Sequence, residues 1–133
     1  MRKFIVYDIP DDFKEKLFCF AERFSRFCIL ESNDWKGSEN EMIVALDYAD
    51  EIFVQKGSFE TLKYFSEKKK DWLFGFITYE TIPLHFFQPK YIFILKKNKI
   101  EIGFLSKVSS EEEARKLFSE ILKIELRTIN HQP

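Results

Sequence analysis

The segments DWLFGFITYE (Asp71 to Glu80) and PLHFFQPKYIFIL (Pro83 to Leu95) decide how this chain folds. Nearly every position of the first is apolar or aromatic. Gly75 lies at its centre, and Thr78, Tyr79 and Glu80 form a polar end. A short, continuous apolar run reads as a strand buried on both faces, here Trp72 to Tyr79. The lone glycine marks a point where another backbone comes close. The second segment leads into a strand from Tyr91 to Lys96. Lys97, Asn98 and Lys99 then read as a hairpin into a further strand from Ile100 to Phe104.

Working upstream, Ser58 is placed to cap a helix from Phe59 to about Lys69, with Phe59, Leu62 and Phe65 inward. Met42 to Leu46 and Ile52 to Val54 are two short strands, and Asp47 to Glu51 reads as the connection between them. A turn-rich stretch from Ser32 to Asn40 separates these from a strand at Phe27 to Glu31. Nearer the start, Lys3 to Asp8 reads as a strand. Pro10 suits a first helical position, and Phe13, Leu17, Phe20, Ala21 and Phe24 mark one helical face. Arg23 and Arg26 fall at the end of that helix, where its dipole favours cations.

Downstream, Ser109 and Ser110 precede Glu112 and Glu113 as two overlapping capping boxes. The helix they open carries Ala114, Leu117, Phe118, Ile121 and Leu122 at spacings of three and four. Ile124 to Ile129 could begin another strand. The order of elements predicts an α+β fold: a mixed or mostly antiparallel sheet with about three helices packed on it.

The whole sequence, 1–133, reads as one domain, large enough to bury roughly two thirds of its unfolded surface. Sixteen phenylalanines, five tyrosines and two tryptophans supply the core. Basic and acidic residues number 21 and 22, giving a net charge of −1, which argues against a nucleic-acid partner or a membrane surface. No apolar run approaches the roughly 20 residues of a membrane span. Cys19 and Cys28 read as reduced, buried thiols of a cytoplasmic protein. His85 and His131 are too few and too far apart for a metal site.

The only basic cluster, Lys68-Lys69-Lys70, reads as the solvated end of a helix. Glu111, Glu112 and Glu113 read as a solvated first helical turn, and Glu80 as a strand-end carboxylate. Four glycines scattered at 37, 57, 75 and 103 form no phosphate-cradling loop. No catalytic residue is assigned.

Three landmarks occur in order: ILES at Ile29 to Ser32, then DWLFGFITYE, then HFFQPKYIFIL at His85 to Leu95. Together they resemble the amino-terminal region of the chorismate-utilising synthases, the large subunits of anthranilate synthase and aminodeoxychorismate (para-aminobenzoate) synthase. The resemblance covers roughly residues 1 to 130, and the FFQPK style looks most like the para-aminobenzoate branch. The family's Leu-Leu-Glu-Ser segment lines a tryptophan site. By position, Leu30, Glu31 and Ser32 would wall such a pocket here, with Ile29 replacing the first leucine.

Several expectations follow from the resemblance. The whole enzyme aminates chorismate to 4-amino-4-deoxychorismate, with ammonia from a glutaminase subunit and Mg²⁺ in the catalytic domain. That chorismate-binding domain lies C-terminal to the matched region in the family, and its magnesium-binding glutamates have no counterpart in this sequence. The chain is therefore expected to be inactive alone and to pack against a catalytic domain. With no such domain to cover its apolar surface, it is expected to self-associate through a sheet edge or face. Only Glu80 to Leu84 separate Tyr79 from His85, a shorter connection than the excursion family members carry there. The anthranilate branch and a freestanding module binding an amino acid or a protein are the alternatives.

Overall fold

The computed structural model describes residues 1–25, 27–31, 42–54, 59–76 and 84–126. The elements are β1 (Arg2–Asp8), α1 (Phe13–Ala21), β2 (Phe27–Glu31), β3 (Met42–Val54), α2 (Phe59–Lys69), β4 (Phe74–Phe76), β5 (Leu84–Leu95), β6 (Lys99–Leu105) and α3 (Glu111–Leu122). Six strands form one sheet in the order β1-β6-β5-β3-β2, with β4 also paired to β5. Every pairing is antiparallel. The fold is thus α+β, with three helices, and its sheet is antiparallel among the described residues.

Alternation along the strands divides the sheet into two faces. On one, Ile5, Val44, Leu46, Phe93, Leu95, Ile100 and Ile102 meet the apolar stripes of α1 and α3 in the main core. Phe13 and Leu17 of α1 and Ala114, Phe118 and Ile121 of α3 are buried there. Tyr7 stacks on Phe118 with ring centroids 3.9 Å apart, which fixes α3 across the edge strand.

Five expectations need correction. The two short strands expected around Asp47 to Glu51 are one long strand, β3. The connection is a bulge: pairing with β5 slips between Tyr48 and Asp50, and Asp47 adopts a left-handed φ of 62°. Aspartate tolerates that conformation, and the Asp47 and Asp50 carboxylates accept the amides of Tyr48 and Glu51. Opposite the bulge sits Pro89, paired with Tyr48, where the ladder is already irregular and a missing N–H costs little. Hence β5 begins well before Tyr91.

Second, α1 starts at Phe13 rather than at Pro10. Asp12 is its cap residue, in a left-handed conformation with no side-chain cap bond, and Pro10 instead accepts the Phe13 amide in a preceding turn. Arg23 then lies just beyond the helix end, its guanidinium 5.2 Å from the Phe20 ring centre. Third, Cys19 is exposed and Cys28 only partly buried, because position 19 falls opposite the apolar stripe of α1. Burial pushes the Cys28 thiol pKa up. Fourth, β4 begins at Phe74 rather than at Trp72, because Asp71 and Trp72 still belong to the connection out of α2, where Asp71 is anchored on Arg2. Fifth, Ile124 to Leu126 lie outside any strand, although Ile124 packs against the main core. Arg26, the Ser58 cap, the stretch from Ser32 to Asn40, Ile77 to Glu80 and the remainder of that last expected strand lie outside the described residues.

Candidate functional site

The segment expected to wall a tryptophan pocket ends an edge strand. Leu30 pairs with Ile43, and Glu31 with Met42. Leu30 is 52% exposed. Ser32 lies outside the described residues, and Leu30 and Glu31, consecutive in β2, take positions on opposite faces of the sheet rather than sharing one wall. β2 joins β3, β3 joins β5, and β5 joins β4. The described parts of the three sequence landmarks therefore lie within one four-strand stretch of the sheet, the second and third close together in the chain and the first far upstream of both.

Leu30 belongs to the sheet face opposite α1 and α3. Direct cross-strand partners share a face, so two rows run across it. One carries Val6, Glu101, Ile94, Ile43 and Leu30. The other carries Phe4, Gly103, Ile92, Ala45 and Cys28. The centre of this face is buried: Ile92 and Ala45 are closed off and, with Phe74, Phe87 and Ile94, form a second apolar cluster. Its margins are open, with Val6 58% and Phe4 45% exposed. The Phe4 ring lies over Gly103, where an added Cβ would sit 2.7 Å from a ring carbon, so the glycine makes room for the aromatic ring.

The other glycine read from sequence behaves as its position predicts. A Cβ on Gly75 would lie 2.2 Å from the His85 carbonyl oxygen, so β4 can approach β5 only with glycine there.

A buried polar knot lies where β5 changes neighbours. Its Phe86 and Phe87 pair with β4, and its Tyr91 to Leu95 with β6. The backbone between them needs other partners. Arg2 supplies them, donating to the carbonyls of Pro89 at 2.6 Å, Lys90 at 3.3 Å and Gly103 at 3.3 Å. Its fork also engages Asp71 two-pronged, Nε at 2.9 Å and Nη2 at 2.7 Å. Gln88 Nε2 donates to the same carboxylate at 2.9 Å. The Arg2 and Asp71 side chains are 5% and 8% exposed. Burial opposes ionisation of Asp71, but hydrogen bonds from Arg2, Gln88 and the Trp72 amide outweigh it and hold the carboxyl below its ordinary range.

A second pair joins β3 to β5. His85 Nε2 lies 2.6 Å from Glu51 Oε1, and the Phe53 ring stacks on the imidazole at 4.5 Å. The carboxylate orients the ring, as a general base requires, but the pair by itself defines no reaction. Sequence reading missed both constellations. Gln88, a polar residue set between Phe86-Phe87 and Pro89, was a usable signal. Arg2 gave none, since its partner lies 69 residues away.

Among the described residues no group of three or more histidine, cysteine, aspartate or glutamate side chains could hold a metal ion. No helix among them is long and apolar enough to cross a membrane. Glu111, Glu112 and Glu113 occupy an exposed first turn, with Glu111 paired to Arg115 at 3.1 Å. What these residues present is an apolar platform with an exposed rim, suited to packing and to holding an apolar ring. No family model matches the chain, and no curated protein or solved structure matches it.

Proposed function

We propose that this chain is the amino-terminal domain of an aminodeoxychorismate synthase large subunit, with a structural and regulatory role. The observation that carries the reading is the convergence of the three landmark segments on one stretch of sheet, β2-β3-β5-β4. The resemblance required only their order in sequence; β4 and β5 follow one another in the chain, so the support comes from β2, which joins the same stretch through β3 although it lies far upstream. The half-exposed Leu30, Phe4 and Val6 further support a surface meant to be covered.

On this reading, chorismate chemistry belongs to a separate chorismate-binding domain that needs Mg²⁺ and takes ammonia from a glutaminase subunit in the cytoplasm. The present domain packs against that catalytic domain. The end of β2, at Leu30, Glu31 and Ser32, borders a tryptophan pocket there, in which a carboxylate and a hydroxyl suit the amino acid's charged groups. Leu30 and Glu31 take positions on opposite faces of the sheet, so the pocket lies at the strand end rather than on one face.

Two experiments test this. The chain incubated with chorismate, ammonia and Mg²⁺ forms no aminated product; turnover refutes the assignment. Calorimetric titration with L-tryptophan gives saturable binding that the Glu31→Ala, Ser32→Ala double variant abolishes. Equal binding by wild type and variant removes the pocket from these residues.

A further inference from the structure

We propose that the cleft between the end of α2 and the β6–α3 connection binds a small hydroxylated polyanion, through phosphate or carboxylate groups. The cavity measures about 460 Å³, enough for a metabolite of about a dozen heavy atoms. Its cationic walls come from two distant parts of the chain. Lys68, Lys69 and Lys70 close α2 on one side, and Lys107 follows β6 on the other. Arg2, Asp71 and Gln88 of the polar knot also line it.

Some of these cations are already engaged and others are not. Arg2 is bound to Asp71 and three carbonyls. Lys69 is paired with Asp50, at 2.5 Å. Lys68, Lys70 and Lys107 have no close ion pair among the described residues, although the Lys68 charge acts on Asp50 beside Lys69 and helps lower its carboxyl pKa. Three like charges thus converge on one cleft of a chain whose net charge is −1. A helix dipole accounts for the lysines that end α2, but not for Lys107, which is on no helix.

Two further observations point to a ligand. Lys70 has a φ of 48° at the position where a helix ordinarily ends in glycine, its amide bonded to the Ser66 carbonyl. A cation is held there although glycine would relieve the backbone. Gln88 is only 7% exposed, and its amide nitrogen must be the atom on Asp71, because a carboxylate accepts only. Its Oε1 is then left without a partner among the described residues, a buried acceptor that calls for a donor. A hydroxyl on the anion supplies one, and Met1, Leu105 and Val108 give the cleft an apolar side.

The test is calorimetric titration of the chain with citrate, with tricarballylate, which has the same three carboxylates but no hydroxyl, and with inorganic pyrophosphate. Citrate or pyrophosphate binds saturably and more weakly at high salt, and the tighter of the two identifies carboxylate or phosphate as the preferred group. Tricarballylate binds about tenfold more weakly than citrate. The Lys70→Gly, Lys107→Gln double variant loses about tenfold in affinity for the tighter ligand. Its thermal midpoint does not fall, since glycine suits the positive φ, so lost binding is not lost folding. Absence of saturable binding by both citrate and pyrophosphate, or unchanged affinity in the double variant, overturns the proposal. Equal affinity for citrate and tricarballylate overturns the role given to Gln88.

Discussion

At the scale of single residues, the Arg2–Asp71 pair holds the sheet together where its neighbours change. Removing the carboxylate in Asp71→Ala leaves a buried guanidinium without its counter-ion, so chemical denaturation records a loss of about 3 kcal/mol. The pair also sets an acid limit. The carboxyl titrates lower in the folded than in the unfolded chain. Its stabilisation is complete above the unfolded value of about 3.9 and fades as pH falls through the lower folded value. Stability measured from neutral to strongly acidic pH therefore falls more steeply for wild type than for Asp71→Asn. Gly75 gives a steric counterpart. Gly75→Ala drives a Cβ into the His85 carbonyl, and urea unfolding shows a loss above about 2 kcal/mol. The close approach at Gly75 was legible because glycine adds nothing to an aromatic strand except room for another backbone. The arginine knot was not, because no local pattern announces a partner 69 residues away in the chain.

At the scale of elements, legibility followed how local the determining physics is. Helix α3 is specified within its own sequence: Ser110 caps it by accepting the Glu113 amide at 3.1 Å, and its apolar residues repeat on one face. Ser110→Ala costs about 1 kcal/mol in thermal unfolding, whereas Ser109→Ala acts instead through the lost 2.8 Å bond to Tyr91. The β3 bulge lies at the other extreme. The polar stretch from Asp47 to Glu51 looks like a connection, and only pairing with the proline-bearing stretch of β5 keeps it in the sheet. Of the expected pocket wall, the strand bearing Leu30 and Glu31 was legible from its apolar run. The surface it joins was not, because Ile43 meets Leu30 only through strand pairing, and Phe4 and Val6 share their face from β1 at the opposite edge of the sheet.

At the scale of the molecule, the two sheet faces are unequal. One is sealed by α1 and α3, while the other leaves Phe4, Val6 and Leu30 half exposed at its margins. The isolated chain is accordingly predicted to self-associate. Sedimentation at rising concentration detects oligomers in wild type, and the Phe4→Glu, Val6→Lys variant remains monomeric because charge on the rim opposes burial. A wild-type chain that stays monomeric throughout argues against an uncovered docking face. Whether this domain serves a chorismate-binding catalytic domain is tested most directly by sequencing the source transcript beyond codon 133. An open frame running into a glutamate-rich, magnesium-binding domain is the expected result; a stop codon there, with no such domain encoded nearby, contradicts it.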